Sequence, residues 1–333
     1  MNDVEIHDVE SIEFGIFTPE EIRAMAVCKI DSSKLTGPGS VYDERMGCHT
    51  DNNESCVTCG LKRDCLGHFG YIDLAEPVLH PMFYKITSVF LKCFCKQCHR
   101  LLLQEEQIEL AGLTKIKGER RFAKMLEKLE KIDICSHCSS PQAKIIYKSK
   151  DMTIAMEYKQ KKGDGINKLN IIMTVEDIKK IFDDISNRDV EMLGFDPKRT
   201  HPRSFVLTVL PVIPPCSRPY VISEGNMCDD DLTYQLIEIV KINNQLANPD
   251  DTKDPKQLQK HQEKHQKLTQ SLRFRIQTMM VNSKGRAKHP TDSRPLKGIK
   301  ERLVGKGGRL RGNLMGDEAG RVSFKLLKTD RCL

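Results

Sequence analysis

The feature that most limits how this chain can fold is its set of cysteine and histidine hooks. Cys56-x2-Cys59-x5-Cys65-x2-His68 offers three thiolates and an imidazole as two short hooks. Cys95-x2-Cys98 and Cys135-x2-Cys138 offer four more thiolates, with 36 residues between the second and third. Each pair of hooks can set four ligands about 2.0–2.3 Å from one tetrahedral ion. Four protein ligands leave no position for a reactive water, so the expectation is two structural Zn sites and not a hydrolytic one. Each would contribute roughly 10 kcal/mol or more to folding, stapling loops that a short local core cannot hold. Cys48, His49, Cys93, His99 and His137 sit near the hooks and are read as bystanders, and Cys28, Cys216, Cys228 and Cys332 as unligated.

The thirteen cysteines cluster in a chain that opens with a polar, acidic stretch instead of a secretory signal, which points to metal in place of a disulfide framework. Two paired hooks also account for more cysteines than two unrelated redox C-x-x-C motifs would. No run of about 18 apolar residues occurs, so no membrane span is expected. The charge is concentrated. From Asn282 to Gly312 ten basic residues face only Asp292 and Glu301, a net +8, while the remainder holds 43 basic and 44 acidic residues. One segment therefore carries the basic character, and a polyanion partner is expected there.

Local signals place helices and breaks. Thr18-Pro19-Glu20-Glu21 reads as N-cap, first-turn proline and capping box for a helix to about Val27. The Gly-Pro-Gly and Asp-Asn-Asn of Leu35 to Asn53 predict loop. Helical spacing recurs over Glu119–Lys131 and after Thr174, and Phe205 to Val212 is β-prone. Asp229 to Asp231 suit a helix start ahead of Leu232, Leu236, Ile239, Val240, Asn243 and Leu246 on one stripe. After Asn248-Pro249-Asp250-Asp251, a second helix from Pro255 to about Val281 predicts an antiparallel hairpin. Neither H-E-x-x-H, H-x-E with P-C-x-x-C, Walker A nor G-x-G-x-x-G occurs, so no catalytic residue is expected in this chain.

The order of motifs resembles the N-terminal part of the largest subunit of DNA-directed RNA polymerase, of the eukaryotic, archaeal and large-DNA-virus type. The residues that carry the likeness are Phe14 to Arg23, Tyr42 to Gly47, Cys56 to Leu74, Pro77 to His80, Leu193-Gly194-Phe195, Leu210 to Pro219, Asp230 to Asn243, Arg294 to Lys297 and Gly307 to Gly316. Two departures stand out. Five residues separate Cys59 from Cys65 where the family usually has six, and the likeness fades after Gly316. The Asn-Ala-Asp-Phe-Asp-Gly-Asp motif whose aspartates bind catalytic Mg in the family is absent. The resemblance thus implies an amino-terminal piece of a longer subunit.

It further implies an α+β fold, the zinc-stapled polymerase clamp with a helical hairpin, the clamp coiled coil. Residues 1–92 would be the first part of the clamp core with zinc site 1, and 93–202 the clamp head with zinc site 2. Residues 203–316 would be the second part of the core, and 317–333 a divergent tail. Pro214 to Met227 resembles the lid and Asn282 to Lys297 the rudder, the latter a flexible, phosphate-facing loop. The implied function is to hold the DNA template and the RNA–DNA hybrid in a nucleotidyltransferase whose Mg site lies outside this chain, which alone would be inactive. Partners would be the second-largest and other polymerase subunits, and transcription factors at the hairpin. The location would be nucleus, viral factory or virion. Candidate nucleic-acid contacts are Arg218, Lys284, Arg286, Lys288, Arg294, Lys297, Arg302, Lys306, Arg309 and Arg311. The alternative is a free-standing zinc-containing nucleic-acid-binding or regulatory fragment, or a non-functional truncated product.

Overall fold

A computed structural model describes residues 15–314, apart from 49–54, 63, 117, 149–151, 163–164, 224–225, 249–254, 292 and 306–307. The chain is of mixed α and β structure and divides into two compact units: Met1–Thr18 with Lys85–Phe205, and Pro19–Tyr84 with Val206–Leu333.

The unit holding most of the basic segment is built on a three-stranded sheet. Cys28–Lys29 pairs in parallel with Gly70–Leu79, which pairs antiparallel with Val206–Val212. The antiparallel ladder runs from Gly70 opposite Val212 to Asp73 opposite Val209, breaks, and resumes at Val78 opposite Leu207. Pro77 lies in the break and has no N–H to continue the ladder, which is why the strand bulges there. Asn243 closes the gap: it accepts from the Ala75 N–H at 2.8 Å and donates to the Asp73 carbonyl at 2.9 Å.

Asn243 belongs to the helical hairpin expected from the sequence, formed by Asp231–Ala247 and Pro255–Met280. Gln235 meets Thr278, and Glu238 meets Arg275, so the two helices run antiparallel. Leu232, Leu236, Ile239, Val240 and Leu246 of the first helix join Leu272, Ile276 and Met279 of the second in one core with Ile30, Val41, Met46, Ile72, Val78, Leu210 and Val212. The hairpin is therefore rooted on the sheet. Ahead of it, the helix expected after Thr18 spans Pro19–Met25 and buries Ile22.

In the other unit, Phe90, Phe122, Phe195 and Phe205 pack ring against ring, with centroids 5.0–5.3 Å apart. They come from helices Tyr84–Cys93 and Gly118–Leu129 and from the chain after helix Asn187–Leu193. The start signal at Thr174 is a complete capping box for helix Val175–Asp183, the Thr174 hydroxyl accepting from the Asp177 N–H at 3.1 Å. Sequence periodicity missed a three-stranded antiparallel meander, Lys144–Lys148, Thr153–Lys162 and Gly165–Ile172. Its signal was present as Gly163-Asp164, a two-residue hairpin pair between two runs that pair as strands.

Candidate metal centres and nucleic-acid interface

Three of the four expected hooks share one backbone design. In each, the first cysteine N–H donates to the carbonyl five residues on, and the N–H four residues on donates back: Cys56 with Gly60 and Leu61, Cys95 with His99 and Arg100, Cys135 with Ser139 and Ser140, at 2.8–3.1 Å. The fifth residue of each hook is left-handed, with φ of 71° at Gly60, 58° at His99 and 56° at Ser139. This turn points both cysteine side chains to one side. It also aims N–H groups at sulfur, as in Gln97 to Cys95 Sγ and His137 to Cys135 Sγ, both 3.4 Å.

The ligand atoms gather accordingly. Those of Cys56, Cys59, Cys65 and His68 all lie within 4.8 Å of one another, and so do those of Cys95, Cys98, Cys135 and Cys138. A tetrahedron with arms of about 2.3 Å has edges of about 3.8 Å. The observed edges are 3.7 Å for Cys65 Sγ to His68 Nε2, 3.6 Å for Cys95 to Cys138 and 3.8 Å for Cys98 to Cys135. The donor sets thus fit a metal ion. Electrostatics agree: burial opposes ionisation of Cys95, yet hydrogen bonds from Ser140, Gln142 and two backbone N–H groups hold its thiol down to about 5. Burial and its neighbouring thiols push Cys98 up to about 12. Thiolates this close repel, and a divalent cation is what lets all four ionise together.

The first centre is fastened to the fold by the Tyr42–Gly47 motif. Asp43 is buried; burial raises its pKa, but the Arg45 fork at 2.7 and 2.9 Å and the Gly39 N–H at 2.6 Å hold its carboxyl below the usual range. The turn this fixes offers the Arg45 carbonyl to Thr58 at 2.6 Å and the Met46 carbonyl to the His68 N–H at 2.9 Å. Gly67, at φ +84°, lies so close to Pro214 that a Cβ would come within 2.5 Å of it. These contacts were not read from the sequence, and neither were Ser140 and Gln142 beside the second centre. Among the neighbours set aside, His99 meets Asp184 at 2.6 Å, and Cys93 is buried with its thiol directed at the Val89 carbonyl. His49 and Cys332 lie outside the described residues.

The ten candidate nucleic-acid residues do not form one group. Arg218 is corrected outright: it is fully buried at 0% exposure, stacked 5.0 Å from the Tyr42 ring, and donates to Ile213, Thr233 and Val41. Burial brings its pKa down to about 10, so it stays charged inside the fold. Arg294 forks onto Asp231 at 2.8 and 3.1 Å, and Arg302 reaches both oxygens of Asp230 at 2.7 Å. Their charge is shared with the base of the hairpin. Lys284, Arg286, Lys288, Lys297 and Arg309 are exposed, Arg311 falls in a turn of π-helix over Arg309–Leu314, and Lys306 lies outside the described residues. The loop bearing the first three is closed and not loose. Asn282 donates to the Ala287 and Leu296 carbonyls at 2.9 and 2.7 Å and accepts from the Ala287 N–H.

Comparison with known proteins agrees with the motif order. The family described as RNA polymerase Rpb1, domain 1, matches residues 6–314. A probable DNA-directed RNA polymerase II subunit RPB1 homolog of Invertebrate iridescent virus 6 is 33% identical, covering 94% of this chain and 36% of that protein. The DNA-directed RNA polymerase subunit Rpo1N of Thermococcus celer is 34% identical over 95% of this chain and 35% of its own length. The DNA-directed RNA polymerase II subunit RPB1 of Euplotoides octocarinatus is 31% identical, covering 99% of this chain and 71% of that protein. The chain spans about a third of the length of the first two.

Proposed function

Since this chain belongs to the Rpb1 domain 1 family, the N-terminal part of the RNA polymerase largest subunit, we propose that it is the clamp of a multisubunit DNA-directed RNA polymerase. The observation that carries this reading is the anchoring of the basic segment to the base of the hairpin by Arg294–Asp231 and Arg302–Asp230. A rudder-like loop held at a fixed place beside a coiled coil can present Lys284, Arg286, Lys288 and Lys297 to the phosphates of template and hybrid, and Lys306, Arg309 and Arg311 are proposed as further contacts from the stretch of sequence that follows it. Contacts of that kind position nucleic acid without reading sequence.

In this reading residues 1–92 and 203–316 form the clamp core and 93–202 the clamp head. Cys56, Cys59, Cys65 and His68 hold one Zn and Cys95, Cys98, Cys135 and Cys138 the other. The metal supplies a four-way cross-link and no reactive position. Pro214 to Met227 acts as the lid, and the hairpin is a docking place for transcription factors. Nucleotidyl transfer, with its Mg, belongs to other parts of the enzyme and to the second-largest subunit; the location follows the source, nucleus for a cell and viral factory or virion for a virus.

The test is intact mass and zinc content of the complex purified from its native source. Polymerase subunits accompanying this chain, or a longer polypeptide that contains it, with two Zn bound, are the expected result. The chain recovered without any polymerase subunit would overturn the assignment and leave a free-standing zinc-containing fragment.

A further inference from the structure

The inward stripe of the second hairpin helix, Pro255–Met280, continues from apolar residues into two histidines. Leu272, Ile276 and Met279 are buried, Leu268 is partly buried against the same core, and His265 and His261 extend the row towards the start of the helix at spacings of three and four residues. At 3.6 residues per turn both histidines fall within about 20° of Leu272, on the face turned to the sheet. His265 reaches that sheet. Its Nε2 stands 3.5 Å from Oε1 of Glu76, in the bulge of strand Gly70–Leu79 and next to Ala75, whose N–H Asn243 holds. The two side chains are 45% and 24% exposed, so the place is open to an ion from solvent. Their separation is long for a charge-assisted hydrogen bond, about 2.7–2.9 Å. It fits the edge of a tetrahedron with arms of about 2.1 Å, which is about 3.4 Å.

We propose that His261, His265 and Glu76 form a third metal site, for a divalent transition ion such as Zn, which ties the second hairpin helix to the bulged strand. Two histidines four apart on one helix can share one ion. Two imidazoles and one carboxylate are a known protein ligand set for Zn, and leave one position to water or an incoming ligand. Gln262 stands where a hydrolytic motif of this spacing carries its glutamate base, so the ion serves as a cross-link and not as a hydrolytic centre. His261 is the ligand that has to turn: among the described residues only the two cysteine-rich clusters already bring three ligand atoms within 4.8 Å of one another. A change of staggered rotamer on the half-buried His261 is the movement required. Three ligands at a solvent-accessible place hold an ion exchangeably. The chain freed of loose metal therefore keeps two Zn, in the cysteine centres, and takes the third when Zn is supplied.

The experiment titrates the full chain, with both cysteine centres loaded and loose metal removed, with ZnCl2 in an isothermal calorimeter. One further Zn per chain is expected. MgCl2 should give no such step, since imidazole suits transition ions and Mg prefers oxygen ligands. His261→Gln, His265→Gln and Glu76→Gln should each weaken the step by about tenfold or more, at least the loss seen when a group that merely orients a ligand is removed. Far-UV circular dichroism checks that each variant keeps its helices. Glu263→Gln removes an acid from the same helix about 200° round from His261 and should leave the step unchanged. Absence of a further Zn overturns the site. So does a further Zn that survives either histidine change, or one that Glu76→Gln and Glu263→Gln weaken alike, which would mean diffuse attraction to acids along the helix and no link to the strand.

Discussion

Asn243 donates to the main-chain carbonyl of Asp73 at 2.9 Å, filling a place in the sheet ladder that the strand itself leaves open. The same side chain takes the Ala75 N–H. Two backbone groups in a half-buried bulge therefore depend on one residue of a helix 168 positions away from Ala75 in sequence. Leaving each without a partner costs about 1–3 kcal/mol. Asn243→Leu, similar in volume, should lower stability by roughly 2–4 kcal/mol, read as a lower urea midpoint. Its zinc content should match the unmodified chain, because neither centre touches the bulge.

Arg218 is a buried cation that bonds to Val41, Ile213 and Thr233 at once. Arg218→Met removes an expensive buried charge but strands the Val41 and Ile213 carbonyls and leaves the Thr233 hydroxyl only its bond from Tyr42, for a net destabilisation of roughly 2–4 kcal/mol. Lysine should rescue little, since one ammonium cannot reproduce the spread of a guanidinium fork. If Arg218 acted on nucleic acid, Arg218→Met would weaken DNA binding at unchanged stability; the expected result is the reverse.

Gly67 combines a left-handed backbone with contact against Pro214 and Cys216, where a Cβ would come within 2.5 and 2.6 Å. Gly67→Ala should shift the Cys65–His68 hook and abolish metal binding at the first centre. The second tetrad is assembled from other hooks and should keep its ion. Zinc per chain, measured by inductively coupled plasma mass spectrometry, should drop from two to one, and loss of both ions would show that the two centres are not independent.

What could be read in advance follows from the range of the interactions. The hooks, the Thr174 capping box and the hairpin stripe are local patterns, and each lies where its spacing placed it. Asn243 was read as one more position on an apolar stripe, because nothing nearby in sequence reveals a bulge at Pro77. Arg218 looked like part of a basic, DNA-facing set for the same reason: its acceptors at Val41 and Thr233 are 177 and 15 residues away. Charge counted along a sequence cannot separate Lys284, which is exposed, from Arg302, which is spent on Asp230.

The neighbouring pair, Arg294 on Asp231, bears on pH. Burial raises the pKa of Asp231, but the Arg294 fork and the Lys297 N–H outweigh it and hold the carboxyl below the usual range. A carboxylate whose folded pKa lies below its unfolded one, about 3.9, stabilises the fold in full above that unfolded value. The contribution fades as pH falls through the folded value. Asp231→Asn cannot ionise, so it should be less stable than the unmodified chain at neutral pH, and the difference should shrink steadily below about pH 4. Both proteins lose zinc ligation to acid alike, so the difference between their urea midpoints isolates this carboxylate. A gap that stayed constant from neutral pH down to about pH 3 would show that Asp231 holds Arg294 and the basic segment through hydrogen bonding alone, without a contribution from its charge.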